Sequence, residues 1–312
     1  MSLAPDFEPQ VTVRAPAKVN LTLRVGPVRA DGFHPLETVY QAIGLYDDVT
    51  VSSSLTWSVE VEHLAPGLSA SHIDLSEVPI GPDNIAVRAG QALTAHHGLS
   101  WCAHICIAKG IPVAAGLAGG SADAAATLVA LDRLWDLQTS DDDLLAIAAD
   151  LGSDVPFALL GGTAHGTGRG ELVEPVDAVE TQWFVVLPSV TGGLSTPEVY
   201  AEYDRGEVAE NARPDDLLTA LSIGSYLTQD LVHNDLTAPA LRLKPELEST
   251  LALGEELGAE ATLLSGSGPT VLFLAMDQGH AQELRSALID RGHLQVLVAP
   301  GPVAGAHVVD YA

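Results

Sequence analysis

The stretch PVAAGLAGGSADAAATLVAL, residues 112–131, changes from glycine-rich to alanine-rich sequence at Ser121. Its second part favours a helix, because apolar residues recur with helical spacing on one face. That face is predicted to contain Ala124, Leu128, Leu131 and Trp135. The free N–H groups at the start of such a helix can bind a phosphate, and the preceding glycines let it approach the backbone. Close packing of small residues explains the same pattern, so the stretch by itself leaves both interpretations open.

The arrangement of the glycines excludes one class of phosphate loop. A Walker A motif needs a lysine directly after its last glycine, whereas Ser121 follows Gly120 here. Ser121 stands at the junction, where its hydroxyl can cap the helix or contact Mg²⁺. A nucleotide bound at this junction would therefore belong to a different class of site.

Composition and charge limit the partners. The chain has 312 residues, 47% apolar and 18% charged, as is typical of folded globular proteins. A single core stops growing at about 250–300 residues, so we predict two domains. The formal net charge of −27 disfavours nucleic acid and anionic membranes as partners. A phosphorylated small molecule remains compatible, provided that backbone N–H groups, a metal or a few local cations form a positive pocket.

The start of the chain bears on the cellular location of the protein, and its two cysteines bear on whether it has a metal site. The first ten residues lack a signal-peptide pattern, and no apolar run approaches the ~20 residues of a membrane span, so we expect a cytoplasmic protein. Cys102 and Cys106 alternate with His104 along WCAHICIA, residues 101–108. A metal site could use these three side chains, but a plain strand is the favoured interpretation.

Alternating strand and helix patterns predict an α+β fold. The first two strands, VTVRA (11–15) and VNLTLRV (19–25), are separated by Pro16, which has no N–H for a ladder. In the second strand, polar residues share one face, namely Lys18, Asn20 and Thr22. The glycine-rich passage GGTAHGTGRGE, residues 161–171, predicts a domain boundary, which we place between residues 1–168 and 169–312.

Two isolated side chains have the types that a kinase requires. Lys18 is one of only three lysines and lies in the strand region, and Asp154 precedes Pro156 in GSDVPF. Phosphoryl transfer to an alcohol uses a carboxylate to accept the hydroxyl proton and a cation to offset developing charge. Taken alone, each has a commoner explanation: a lysine at a strand end, and an aspartate that caps a helix or turn.

An aromatic residue and a histidine adjoin in the loop RADGFHPLET, residues 29–38. The pair Phe33-His34 suits stacking on a base and reading its edge, although a buried Phe and a surface His are the ordinary alternative. A second glycine-rich turn, SGSGPT at 265–270, is on its own simply a hairpin.

In their order along the chain, these segments resemble the GHMP kinase superfamily. The matching segments span nearly the whole sequence: APAKVNLTL, RADGFHPLET, IPVAAGLAGGSADAA, GSDVPFALLGGTAHGTGRGE, STPEVY, HNDL and LLSGSGPTV. The resemblance implies a two-domain fold. Its N-terminal ATP domain would be like the second domain of ribosomal protein S5, and its C-terminal domain would be a ferredoxin-like α/β sandwich.

Within the superfamily, the chain resembles the kinases that phosphorylate the C2 hydroxyl of 4-diphosphocytidyl-2-C-methyl-D-erythritol in the non-mevalonate isoprenoid pathway. The resemblance implies ATP and Mg²⁺ as cofactors, Asp154 as base and Lys18 as its electrostatic partner. It implies that five residues bind the substrate: Asn20, Phe33, His34, Thr196 and Tyr200. The implied ATP loop contains Pro112, Gly116, Leu117, Ala118, Gly119, Gly120 and Ser121, with Ser121 also the candidate Mg²⁺ ligand.

Departures from the family pattern qualify this assignment. Phe33 stands where a tyrosine is usual, so stacking is kept but a hydroxyl contact is lost. Ala118 replaces a glycine, and Asp123 places a carboxylate beside the expected triphosphate, which costs energy unless something offsets its charge.

Three alternative functions are compatible with parts of this pattern. The first is a GHMP kinase of homoserine, mevalonate or a sugar, which the base-binding set Phe33, His34 and Tyr200 disfavours. The second is an RNA-binding domain of the same fold, which the acidic composition and the pair Lys18 and Asp154 disfavour. The third is a binding protein with an inactive site. We expect a monomer or weak homodimer.

Overall fold

The computed structural model describes residues 9–64, 73–189, 192–206 and 214–311. The first strand, β1, runs without interruption over Gln10–Val25, so the expectation of two strands separated by Pro16 is wrong. The ladder between β1 and β2 (Leu36–Ser54) shifts by a bulge at Pro16/Ala17. On its other edge β1 pairs at residues 11–14 and again at 22–23, and Pro16 lies between these two pairings. A strand can therefore pass through this proline.

The first sheet has the order β12-β1-β2-β4-β3, with β5 beside β2 and β8 beside β1. β5 also pairs with β6. The strands that complete it are β3 Ser58–His63, β4 Cys102–Lys109, β5 Thr163–Thr167, β6 Leu172–Pro175, β8 His233–Asn234 and β12 His307–Tyr311.

Four helices accompany this sheet: α1 Ile85–His96, α2 Gly119–Leu134, α3 Asp141–Leu151 and α4 Val155–Leu160. A short 3₁₀ turn precedes them at Leu75–Glu77. Helix α2 lies centrally, in contact with β1, β2, α1 and α4. Of its predicted inward face, Ala124, Leu128 and Leu131 are fully buried, and its many alanines allow neighbouring elements to approach closely.

The second sheet has the order β11-β7-β10-β9 and is antiparallel throughout. Its strands are β7 Gln182–Leu187, β9 Ala261–Leu264, β10 Val271–Ala275 and β11 Leu297–Gly301. The remaining helices are α5 Thr196–Tyr203, α6 Asp215–Ile223, α7 Thr237–Leu243, α8 Glu246–Leu257 and α9 Gln278–Asp290. This succession of strands and helices is ferredoxin-like, which confirms the predicted fold class.

Both faces of the second sheet are buried, which explains the continuous apolar run in β7. Phe184 and Val186 join the core cluster of the first sheet, whereas Val185 and Leu187 join the cluster under α7–α9. Alternate residues of a strand point to opposite faces, so a strand covered on both sides is apolar throughout. The sheets are thereby packed against each other.

The division at residues 168/169 falls within the turn between β5 and β6, which pair with each other in the first sheet. The last strand, β12, also returns to β1. The exact boundary stays a prediction.

Among the helices of the described residues, none combines the length and the apolar composition that a membrane span requires.

Candidate active site

A cleft of about 840 Å³ brings the candidate residues together. Its walls are formed by the glycine-rich loop at residues 112–120, by β1, by the 26–36 connection, and by the starts of α4 and α5. The turn at 266–267 closes one side. Segments far apart in sequence therefore share one solvent-accessible space.

Gly116 is a packing glycine. Its φ of +76° lies in the left-handed region, and a Cβ built there would lie 2.5 Å from the Ser265 carbonyl oxygen and 2.9 Å from that of Gly268. The Ser265 hydroxyl donates to the Gly116 carbonyl at 3.0 Å. The turn SGSGPT, a hairpin by its own sequence, thus supports the loop.

Gly120 is of a different kind, because it is exposed and a Cβ there would meet only Ile85 at 3.7 Å. It lies in the first turn of α2, whose N-cap, Ala118, is left-handed (φ 56°) and provides no side-chain hydrogen bond. The N–H groups of this turn lie beside an open glycine, an arrangement that suits an incoming phosphate. Close packing therefore explains Gly116, whereas Gly120 leaves the open space that an approaching phosphate would need.

Ser121 does not cap α2, because the helix begins at Gly119 and its N-cap is Ala118, three residues before Ser121. The left-handed Ala118 turns the chain into the helix before Ser121 is reached. The cleft is lined by Gly119 and Gly120 but not by Ser121. Its part as a Mg²⁺ contact stays a prediction that the lining does not favour.

Lys18 and Asp154 face each other in the cleft, with Lys18 Nζ 3.5 Å from Asp154 Oδ2. Asp154 directly precedes α4 but makes no capping hydrogen bond, so its carboxylate is free for other partners. Lys18 Nζ also donates to Asn20 Oδ1 at 2.9 Å, and Asn20 Nδ2 donates to Thr38 Oγ1 at 2.8 Å. Lys18 and Asn20 on the predicted polar face of β1 are thus buried and hydrogen-bonded, and Asn20 orients the lysine, whereas the buried Thr22 hydroxyl has no hydrogen-bond partner among the described residues.

Tyr40 is a site residue that the sequence reasoning missed. It is buried on β2, stacks on Phe157 with ring centroids 4.9 Å apart, and lies 5.8 Å from Lys18 Nζ, measured to its ring centroid. Burial, and then the neighbouring Asp154 carboxylate, raises the pKa of Tyr40 well above its ordinary value. Tyr40 therefore stays a neutral hydroxyl beside Asp154.

The predicted base-binding residues meet at one end of the cleft. His34 and Tyr200 have ring centroids 5.1 Å apart, and Thr196 Oγ1 lies 2.8 Å from Ser267 Oγ. Phe33 is 50% exposed whereas His34 is 8% exposed, the reverse of the ordinary alternative of a buried Phe and a surface His. These exposures leave the Phe33 ring available for stacking.

The hydrogen bonds of His34 determine which of its ring nitrogens can accept a hydrogen bond from a ligand. Nδ1 lies 2.8 Å from the Gly26 carbonyl oxygen, and because a carbonyl only accepts, Nδ1 donates. Nε2 lies 3.5 Å from Asp204 Oδ1. In neutral His34, Nε2 is therefore the accepting atom.

Asp123 is neutralised beneath the phosphate loop. Lys109 Nζ donates to Asp123 Oδ2 at 2.8 Å and to Asp47 Oδ2 at 2.5 Å, and all three side chains are buried. Asp47 Oδ1 also accepts from the backbone N–H groups of Gly110 and Ile111. This cluster, the Asp47–Lys109–Asp123 triad, accounts for a carboxylate at a place where the sequence made it unfavourable.

Charge balance within the triad shifts its pKa values. Burial alone would lower the pKa of Lys109, but the two carboxylates outweigh it and raise the pKa, so the ammonium stays charged. Burial raises the pKa of Asp123 well above its usual range, with Lys109 opposing that shift. Lys109 was not among the predicted site residues. The scarcity of lysine in the sequence could have indicated it, because two of the three lysines line the cleft.

The candidate metal ligands on β4 are Cys102, His104 and Cys106. Cys102 and Cys106 are free thiols on β4, and no group of three or more metal-ligating side chains occurs in the described part of the chain. Burial raises the pKa of the Cys106 thiol to about 11.

Two family models match the chain. The GHMP kinases N terminal domain matches residues 84–162, and the GHMP kinases C terminal domain matches residues 217–294. Among solved structures, a homoserine kinase of Cytophaga hutchinsonii has a TM-score of 0.74 at 17% identity, covering 99% of this chain and 100% of the other. At that identity the likeness shows the fold alone.

Closer relatives share one name. A protein of Nocardioides sp. named 4-diphosphocytidyl-2-C-methyl-D-erythritol kinase is 57% identical, covering 96% of this chain and 100% of the relative. One of the same name from Thermobifida fusca is 47% identical, covering 96% and 98%. A crystal structure described as 4-(cytidine 5'-diphospho)-2C-methyl-D-erythritol kinase has a TM-score of 0.74 at 32% identity, covering 93% and 98%. With this identity maintained along almost its entire length, the chain belongs to the 4-diphosphocytidyl-2-C-methyl-D-erythritol kinase family of GHMP kinases.

Proposed function

We propose that the protein transfers the γ-phosphoryl group of ATP to the C2 hydroxyl of 4-diphosphocytidyl-2-C-methyl-D-erythritol. The observation that carries this proposal is the facing pair Lys18 and Asp154, 3.5 Å apart between the α2 N-terminus and the aromatic end of the cleft. The relatives that share nearly the whole chain and carry this substrate in their names support the same assignment.

Asp154 is the proposed base. Its carboxylate accepts the C2 hydroxyl proton as the oxygen attacks the γ-phosphorus, the bond from that phosphorus to the bridging oxygen breaks, and ADP leaves. Lys18, held by Asn20, offsets the negative charge that develops on the transferring group. The neutral hydroxyl of the buried Tyr40 neighbours this carboxylate.

The aromatic end of the cleft is the proposed cytosine site. Phe33 and Tyr200 supply stacking surfaces, as bases bind to aromatic side chains in general. His34 Nε2 accepts a hydrogen bond from the exocyclic amino group of cytosine, since its Nδ1–H is already used on Gly26. Asn20, which is bonded to Lys18, is the proposed contact nearer the reacting end, and Thr196, on the same helix as Tyr200, is a further proposed substrate contact.

The ATP phosphates fit the first turn of α2, where Gly120 leaves open space. We propose that Mg²⁺ binds with the nucleotide and is held chiefly by ATP, because this ion keeps several waters and takes few protein ligands. Ser121 would be its protein contact only as the family resemblance implies, since this residue does not line the cleft, and the ion would screen charge between phosphates. We further propose that the protein is located in the cytoplasm and that it is a monomer or a weak homodimer.

Phosphorus NMR tests the proposed reaction. The purified protein is incubated with Mg-ATP and an equimolar mixture of the cytidyl substrate, homoserine and mevalonate. We expect a new phosphomonoester resonance coupled to loss of the cytidyl substrate alone. An unchanged cytidyl substrate beside consumed homoserine or mevalonate would assign the protein to another GHMP kinase activity.

Replacement of Phe33 tests the base site. Phe33→Ala should raise the KM for the cytidyl substrate by an amount equivalent to about 1–3 kcal/mol, because one stacking surface is lost, with little change in the KM for ATP. Phe33→Tyr, which keeps the ring, is the matched control and should bind like the wild type. Steady-state kinetics with each substrate varied separates the two constants, and an equal rise in both would contradict a base-specific role.

A further inference from the structure

One positively charged side chain of the cleft, that of Arg169, has no role in the proposed reaction. In the described structure, three permanently positive side chains line it: Lys18, Lys109 and Arg169. Lys109 is enclosed by two carboxylates with its side chain 3% exposed, and Lys18 is 9% exposed and faces Asp154. Arg169, at 31% exposure, is the accessible one.

Arg169 is weakly engaged by its own neighbours. Its Nε lies 3.4 Å from Glu171 Oε1 and its Nη2 lies 3.4 Å from the Ala149 carbonyl oxygen, both at the long end of the hydrogen-bond range. Nη1 has no hydrogen bond with a described residue. The guanidinium therefore keeps donors that a ligand anion can use.

The turn that carries Arg169 is well held. The Arg169 backbone N–H donates to Glu171 Oε2, and the Gly168 carbonyl accepts from the Leu36 N–H at 2.8 Å. Gly170 has a φ of +101°, and a Cβ there would overlap the Tyr40 hydroxyl, so glycine lets this turn lie directly against Tyr40. The side chain is thereby presented from a fixed backbone.

Arg169 lies between the two ends of the cleft. Its Cζ is 5.0 Å from the centroid of the Phe33 ring, at the proposed cytosine end. The adjoining Gly170 contacts Tyr40, which neighbours Asp154 at the reacting end. A cytidyl substrate has its diphosphate between the base and the reacting polyol, which matches the position of Arg169.

We infer that the Arg169 guanidinium, stacked on Phe33, binds the diphosphate of the substrate, an inference that rests on the proposed function. In a chain with a net charge of −27, this cation supplies the local positive charge that a diphosphate requires. Arg169 thereby contributes to selection of a nucleoside-diphosphate-linked acceptor over an uncharged polyol.

Binding measurements on Arg169→Gln test the inference. Isothermal titration with the cytidyl substrate, CDP and cytidine is performed with a saturating non-hydrolysable ATP analogue present, so that the phosphate loop is occupied. We expect about tenfold or more weaker binding of the cytidyl substrate and CDP, with cytidine unchanged, because only the first two carry the diphosphate. Arg88→Gln, which removes an exposed arginine of α1, is the matched control and should bind all three like the wild type.

The other outcomes are distinguishable. An equal loss for all three ligands would overturn the inference, because Arg169 would then act by supporting the Phe33 stack. Unchanged binding of CDP would also overturn it. Failure of the wild-type protein to bind the cytidyl substrate would overturn the proposed function, and this inference with it.

Discussion

Asp154→Asn is expected to lower kcat by about 10²–10⁴-fold, the usual contribution of a positioned general base. Asparagine preserves the shape of the side chain but cannot accept the hydroxyl proton. The side chain makes no helix cap, so the fold should not depend on its charge. Steady-state kinetics with the cytidyl substrate gives kcat, and urea unfolding checks that stability is retained.

Asp142→Asn is the matched control for that experiment. Asp142 is an exposed carboxylate in the first turn of α3 that does not line the cleft, and its variant should have wild-type kcat. Wild-type turnover in Asp154→Asn would remove this residue from the proton transfer. A drop in kcat accompanied by an equal drop in the control would indicate a general charge effect instead.

Lys109→Met is expected to destabilise the protein by about 3 kcal/mol or more, because it leaves two buried carboxylates without their cation. Methionine has a similar length and is apolar, so the cavity term is small. The free energy of unfolding from urea titration measures the loss. The ATP loop should also bind ATP more weakly, since Lys109 Nζ lies 3.2 Å from the Cβ position at Gly119.

The pH dependence of that loss identifies its electrostatic origin. Lys109 opposes the rise in the pKa of Asp123 that burial causes, so without Lys109 this folded-state pKa rises further, and the added penalty grows as the pH rises through the raised values. The deficit should therefore be larger at about pH 8 than at about pH 5. Lys244→Met is the matched control, because Lys244 is equally buried but donates to the Gly192 carbonyl. A deficit that is independent of pH, or equal in both variants, would contradict the role of the triad.

Local patterns predicted those parts of the site that lie within one element. The shared face of Lys18 and Asn20 followed from the two-residue period of a strand and is found on β1, whereas a shift in strand register between Asn20 and Thr22 interrupts that period before the third predicted member. The inward face of α2 followed from helical spacing. The exact start of α2 did not, because a left-handed Ala118 takes the position that sequence assigns to a capping serine.

Contacts between residues that are far apart in the sequence could not be predicted from such local patterns. Tyr40 meets Asp154, Arg169 stacks on Phe33, and Asp47 meets Lys109, each pair being joined only by the packing of different elements. No periodicity within one segment carries this information. Asp123 shows the consequence, because its unfavourable charge in the sequence is resolved by a lysine from the end of β4.

The sequence by itself determined the α+β class, the expectation of two domains and the family, because strand and helix periods and ordered motifs are properties of contiguous residues. The tertiary structure decided which glycine packs against the chain and which lies beside open space, how Asp123 is neutralised, and that Arg169 is the accessible cation of the cleft. These depend on through-space distances and burial. A charge or a Cβ acquires its energetic meaning only from the groups that folding places around it.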